Sequence, residues 1–247
     1  MGHLKISLEC LESVDSTNTY LKALAKKGAE EGRLVIANTQ TGGRGRMGRS
    51  FASPQGLGIY MSLLLRPHCS ADCVQSLTAF TAVAVCRALE KHEGISPEIK
   101  WVNDILLNGK KICGILCESS VSEKGADFAV IGIGLNVITR TEDFPPPIRE
   151  SAGSLFSEGG MIIERGKLIS DIIAELDAMY SAWSEDKTAY LAGYKKRCRT
   201  LGKFVEVTDK NGSREAIADD ITPDFGLRVR YPDGFYDVLR SGEVSVR

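Results

Sequence analysis

The sequence predicts an α+β protein in two parts, a mixed β-sheet with packed helices over residues 1–200 and a small all-β barrel over 201–247. Two observations carry that expectation. Before residue 200, short strand-like runs are interspersed with two long stripes of apolar residues at helical period. From Leu201 the pattern changes to short strands split by turn signals at Asn211-Gly212, Asp224-Phe225-Gly226 and Pro232-Asp233-Gly234. A chain of 247 residues is long enough for one or two domains with a sizeable core.

Taken in order, Leu4 to Leu11 reads as a strand, and Asp15 or Ser16 as the N-cap of a short helix with Tyr20, Leu21 and Leu24 on its apolar face. Gly28 and Gly32 close that unit, and Leu34 to Ala37 is a short buried strand. A glycine- and arginine-rich loop follows from Gln40 to about Gln55, and Leu57 to Leu65 forms the next strand. Ser70 caps a long helix with the stripe Val74, Leu77, Thr81, Val85 and Leu89. Ile99 to Val102 and Ile105 to Leu107 read as strands, and Asn108-Gly109 as a tight hairpin turn, whose residues must tolerate positive φ. Ile112 to Glu118 and Phe128 to Asn136 are further strands. Beyond Pro145-Pro146-Pro147, a second stripe runs Leu168, Ile169, Ile172, Leu176, Met179, Tyr180 and Trp183, and a short helix spans Thr188 to Cys198.

The formal net charge of −1 argues against a whole-surface nucleic-acid binder, though a local basic patch survives such an average. No run of eighteen apolar residues occurs and the N-terminus lacks the apolar block of a signal peptide, so the expectation is a cytoplasmic chain with no membrane contact. The pairs Cys69/Cys73 and Cys113/Cys117 are spaced by four, unlike a zinc knuckle, and free thiols are the default for seven scattered cysteines.

The densest information lies in Gln40-Thr41-Gly42-Gly43-Arg44-Gly45-Arg46-Met47-Gly48-Arg49. Glycines let backbone N–H groups approach a ligand, and arginine offers a charged fork matched to carboxylate or phosphate. The spacing Gly43-x-Gly45-x-x-Gly48 imitates a dinucleotide fingerprint, but Ser50 to Pro54 cannot open the helix which that site needs, and the ending of a P-loop is missing. A solvated surface loop competes with an anion site, as does an arginine–glycine nucleic-acid contact, against which stands the scarcity of interleaved aromatics, with Phe51 alone nearby. Three further groups bear on the choice. Lys100-Trp101-Val102-Asn103-Asp104 sets a cation, an indole, an amide and a carboxylate at a strand end; Lys111 precedes Gly114, where a backbone could approach a ligand; and Gly132-Ile133-Gly134-Leu135-Asn136 reads alternatively as a bulged strand end.

In this order the pieces resemble the catalytic domain of biotin–protein ligases. The marks are Ser16-Thr17-Asn18, Gly43 to Arg49, Lys100 to Asp104, Lys111 to Leu116, Gly132 to Asn136 and Gly242-Glu243-Val244-Ser245. The resemblance covers essentially the whole chain and implies a fold like that of class II aminoacyl-tRNA synthetases with an SH3-like C-terminal barrel. It implies ATP and biotin as substrates with Mg²⁺, formation of biotinyl-adenylate, and transfer of biotin to a lysine of a biotin carboxyl carrier domain. By resemblance, Lys111 and Arg44 are the catalytic charges. The biotin-binding set is Ser16, Thr17, Asn18, Gln40, Gly43, Arg44, Gly45, Arg46, Lys111 and Gly114. Arg46, Arg49, Phe51, Trp101, Asn103 and Asn136 would serve ATP, with Asp104 as candidate for Mg²⁺ or for activating the lysine. The glycine loop would be mobile when empty and ordered when filled.

Two departures stand out: Val102 replaces the family's proline, and Phe51 stands where many members have tryptophan. A homodimer is compatible with the resemblance. The helix-turn-helix of repressor members has no counterpart ahead of the first strand, so DNA binding is not expected. A lipoate–protein ligase with the same acyl-adenylate chemistry is the nearest rival, and a nucleic-acid-binding module is the rival of a different class.

Overall fold

The computed structural model describes residues 4–67, 69–123, 125–209, 212–240 and 243–246. Asn211 of one expected turn and Gly242 of the terminal motif lie outside them. Strand β1 (Ser7–Val14), helix α1 (Thr17–Lys26), strands β2 (Arg33–Gln40) and β3 (Gly58–Leu65) and helix α2 (Ala71–Glu90) come first. Strands β4 (Glu98–Lys100), β5 (Asp104–Leu107), β6 (Lys110–Ser122) and β7 (Gly125–Asn136) follow, then helices α3 (Leu155–Gly159), α4 (Arg165–Glu185) and α5 (Thr188–Arg197). The C-terminal part holds β8 (Phe204–Asp209), β9 (Gly212–Ile221), β10 (Leu227–Arg230), β11 (Tyr236–Leu239) and β12 (Glu243–Val246).

The first seven strands form one mixed sheet in the order β1-β2-β3-β7-β6-β5-β4, in which β1 and β2 run parallel and every other pair antiparallel. The strand expected at Leu4 begins instead at Ser7, because pairing with β2 starts at Ser7↔Arg33 and the backbone of Leu4 donates to Asp177 Oδ1. Of Ile99 to Val102, read as a strand, only Ile99 and Lys100 belong to β4, and Trp101 to Asn103 are a turn between β4 and β5. The short helix α3 carried no periodic signal at five residues.

Side chains alternate across a strand, and both faces of β3 are covered. Ile59, Met61, Leu63 and Leu65 enter the main core with α2, α4 and α5. Leu64 joins a smaller core under α1 with Leu21, Val35, Phe128 and Val130. Helix α2 is apolar nearly all round because it is sandwiched between the sheet and α4.

The C-terminal strands form an antiparallel sheet in the order β11-β10-β9-β8-β12 with one apolar inner face. Their core is continuous with that of the first part. Phe225 plugs into the larger part, its ring 4.9 Å from that of Phe80 and 5.8 Å from that of Tyr194.

Candidate functional site

One cleft of about 970 Å³, counted to its open mouth, sits on the α1 face of the sheet. The registers explain why the sheet is hollow there. Tyr60, Gly134, Gly114 and Asp104 lie opposite one another across four strands, and Ser62, Gly132 and Leu116 form the neighbouring row. Small residues at consecutive site-facing positions leave room that helix α1 does not fill. A Cβ on Gly132 would lie 2.2 Å from Asn18 Oδ1, and one on Gly134 would lie 2.5 Å from the Phe51 ring. These glycines are therefore clearance for two side chains; the ladder runs unbroken through them, which removes the reading of a bulged strand end.

A bulge lies instead on β6, where Leu106 pairs with Lys111 and Ile105 with Cys113, leaving Ile112 extra. In an unbroken strand Lys111 and Gly114, three apart, would face opposite sides. The extra residue turns Ile112 into the core and Lys111 over Gly114, its Nζ 3.3 Å from where a Cβ there would stand. The freed backbone of Lys111 pairs with the 151–153 segment, accepting from Gly153 N and donating to Ser151 O.

Lys111 Nζ stands 2.7 Å from Asp104 Oδ1, an ion pair by distance, although that oxygen makes no aligned hydrogen bond. No group of three His, Cys, Asp or Glu side chains able to hold a metal forms among the described residues. Asp104 is thus a single carboxylate already paired with a lysine, a donor set that does not fit a protein-built metal cage.

At the other end, Ser16 caps α1, and the first turn of that helix buries Thr17 and Asn18, polar residues where an apolar stripe would be usual. Each is held. Gln40 Oε1 accepts from Thr17 N at 2.9 Å and Thr17 Oγ1 at 3.1 Å, while Gln40 Nε2 donates to Ser53 Oγ. Asn18 Nδ2 donates to Leu116 O at 3.2 Å and to Glu118 Oε2 at 2.9 Å. The buried Ser62 hydroxyl lies 2.7 Å from Thr17 Oγ1 and 2.6 Å from Asn18 Oδ1, sharing its proton between them. Burial alone would raise the pKa of Glu118, but hydrogen bonds from Lys22 and Asn18 and the charges of Lys22 and Arg44 outweigh it and hold the carboxyl below its ordinary value.

The arginine loop folds over this floor. Arg44 bridges Ser50, Gly45 N donates to Arg49 O, and a single turn over Arg46–Gly48 places Met47 at φ 54. Arg46 reaches across the cleft to Asn103 Oδ1 at 3.0 Å, and Asn103 is tied to Ile115 through both its side chain and its backbone. So the loop carries its own hydrogen bonds in this state. Trp101 walls the cleft, its indole donating to Phe225 O of the C-terminal part, and Val244 of β12 reaches the rim.

Of the residues expected from sequence, Ser16, Thr17, Asn18, Gln40, Arg44, Gly45, Arg46, Arg49, Phe51, Trp101, Asn103, Asp104, Lys111 and Gly114 all line the cleft. Two do not. Gly43 lies behind the loop, where a Cβ would be 2.3 Å from Phe51 O. Asn136 is buried one pleat beyond Gly134, with Nδ2 bonded to Gly153 O and Oδ1 lacking a hydrogen-bond partner. Sequence reasoning missed Ser62, Glu118 and Lys22, which support the lining, and named Val244 in its terminal motif without a role in the cleft. Ser62 is the one small polar residue in the apolar run of β3, a signal that could have found it; Glu118 needed the register of β6.

Comparison with known proteins is consistent with this geometry. The model of the biotin/lipoate A/B protein ligase family matches residues 10–136. The bifunctional ligase/repressor BirA of Bacillus spizizenii is 42% identical over 167 residues, which are 68% of this chain and 51% of that protein, so the match spans about half the relative's length. The biotin--[acetyl-CoA-carboxylase] ligase of Paracoccus denitrificans is 40% identical over 248 residues, covering 95% of this chain and 98% of the relative. Among solved structures, the biotin protein ligase of Aquifex aeolicus in complex with biotin and ATP superposes with a TM-score of 0.83 at 27% identity, covering 99% of each chain.

Proposed function

The chain belongs to the biotin/lipoate A/B protein ligase family, on the biotin–protein ligase side of it, and from that membership we propose that it activates biotin with ATP and passes it to a lysine of a carboxylase's biotin carboxyl carrier domain. The observation that carries the reading is the polarity of the cleft. Neutral hydrogen-bonding groups gather at the first turn of α1, Lys111 stands at the far side of a floor of glycines, and the arginine loop folds over both.

In this reading the ureido ring of biotin meets Ser16, Thr17 and Gln40, with Asn18 supporting that turn. Its carboxylate lies toward Lys111 and Arg44. The carboxylate oxygen attacks the α-phosphorus of ATP, the bond to the bridging oxygen breaks, and pyrophosphate leaves. An anion approaches a polyanion in this step, so fixed positive charge is what lowers the barrier. Hydrogen bonds to charged groups contribute about 1.5–3 kcal/mol each, so two cations supply several kcal/mol. Lys111 is assigned to charge stabilisation, and Asp104 holds its ammonium in place. Mg²⁺ would enter on the phosphates of the nucleotide and supply further positive charge there. The acceptor lysine then takes the acyl group and AMP departs.

Phe51, Trp101 and Asn103 are assigned to the adenosine side together with Arg46 and Arg49. The unpartnered Oδ1 of Asn136 is an acceptor that the amino group of adenine would satisfy. No helix among the described residues is long and apolar enough to cross a membrane; a cytoplasmic location and a homodimer belong to the proposal. The test is biotin-dependent exchange of pyrophosphate into ATP, followed by transfer to a biotin-acceptor domain. Exchange with biotin is expected; exchange with lipoate alone would move the protein to the other branch of the family.

A further inference from the structure

We propose that Glu118 is a positioning residue that ties the ring-binding turn of α1 to Arg44, so that both ends of the acid substrate are gripped at a fixed separation. The proposal rests on the reading of the cleft as a biotin site.

Its two carboxylate oxygens meet different partners. Oε2 accepts from Asn18 Nδ2 at 2.9 Å, in the turn that also carries Ser16 and Thr17. Oε1 meets Lys22 Nζ, one turn further along α1, at 2.5 Å and Arg44 Nη2 of the loop at 3.6 Å. Glu118 thus lies behind the cleft lining, between α1 and the arginine loop. Asp104, at the cation end, pairs with Lys111.

The chemistry of each bond fixes its direction. A carboxylate only accepts, and so does the Leu116 carbonyl, so the Asn18 amide must turn its NH₂ toward β6 and its oxygen toward Ser62. That orientation seats Asn18 over Gly132, where the missing Cβ leaves the space. The side chain of Glu118 is 19% exposed, against 49% for Arg44, so the more buried group anchors the contact. Lys22, one turn on from Asn18 in α1, meets the same oxygen as Arg44 and fixes the carboxylate between the helix and the loop.

The test is Glu118→Gln, which keeps the shape and removes the charge, read by steady-state pyrophosphate exchange with biotin and ATP varied separately. The expected result is a KM for biotin about tenfold higher, the equivalent of one charged hydrogen bond, with the KM for ATP within about twofold and an unchanged melting temperature. A purely structural role would instead lower the melting temperature or raise both KM values together. In a double-mutant cycle with Asn18→Ala, the two effects on the KM for biotin should fall short of multiplying, because both break one link.

If Glu118→Gln melts early, Glu118→Asp serves in its place. It keeps the charge but is one methylene too short to reach both Asn18 and Arg44, and a severalfold rise in the KM for biotin is expected. A KM for biotin unchanged in these variants, or effects that multiply in the cycle, would overturn the proposal. Absence of biotin-dependent exchange in the unaltered protein would bring down the functional reading itself, and this inference with it.

Discussion

The two faces of the seven-stranded sheet are built from the same strands and do opposite work. On the α2 face, Ile59, Met61, Leu63, Ile131, Ile133 and Leu135 pack into a dry core. On the α1 face, Leu64 and Val130 pack under α1, and the alternate positions then give way to Ser62, Gly132 and Gly134, over which Asn18 and the Phe51 ring sit. A period of two lets one strand serve both purposes, with a continuous core on one parity and, beyond Leu64 and Val130, recognition on the other. Substitutions on the first parity should therefore cost stability with the chemistry intact in what remains folded, and those at the cleft positions of the second should do the reverse.

The largest expected effect is on the core side. Phe80 is fully buried and stacked against Tyr190 at 4.8 Å, so Phe80→Ala should cost about 3–5 kcal/mol in a denaturant titration. Below its midpoint the KM for biotin should be unaltered. On the site side, Lys111→Ala should slow pyrophosphate exchange about a hundred- to thousandfold, the usual loss for one transition-state donor. Its melting temperature should barely move, because its side chain is 36% exposed. A large loss of stability in that variant would break the division between faces.

Gly134→Ala sharpens the comparison, because it adds one methyl on the site parity. The new Cβ displaces the Phe51 ring, and the KM for ATP should rise about tenfold, within the roughly 1–3 kcal/mol of one base-stacking contact. The smallest effect is with pH. The pKa of Glu118 is depressed in the fold, so its charge persists through the ordinary carboxylate range and is lost only as pH falls through the lowered value. Calorimetric affinity for biotin should fall below that range, and Glu118→Gln should lack that component of the fall.

Much of this was legible in the sequence, for identifiable reasons. The stripes of α2 and α4 are long enough for their period to be unmistakable, and Asn108-Gly109 adopts the positive φ values that its residue types announced, 50° and 83°. The motif residues of the cleft were readable through the resemblance of six short motifs, in order, to biotin–protein ligases, since the arginine–glycine loop alone reads equally well as a solvated surface loop. The bulge at Ile112 was not legible, since an extra residue in a strand leaves no mark on the pattern until the partner's register is known. Glu118 and Ser62 were hidden for a related reason: each is ordinary in its own strand and gains meaning only from what lies across the ladder. Asn136 belongs to both cases, marked by its motif yet tied to Gly153, which no local pattern links to it.

The most direct test is the structure of the protein bound to a non-hydrolysable analogue of biotinyl-adenylate. The account predicts the ureido ring against Ser16, Thr17 and Gln40, the acyl–phosphate junction between Lys111 and Arg44, and the adenine beside Phe51 over the Gly114–Gly134 floor. An analogue bound away from the α1 face, or with its ring among the cations and its phosphate at Thr17, would contradict it.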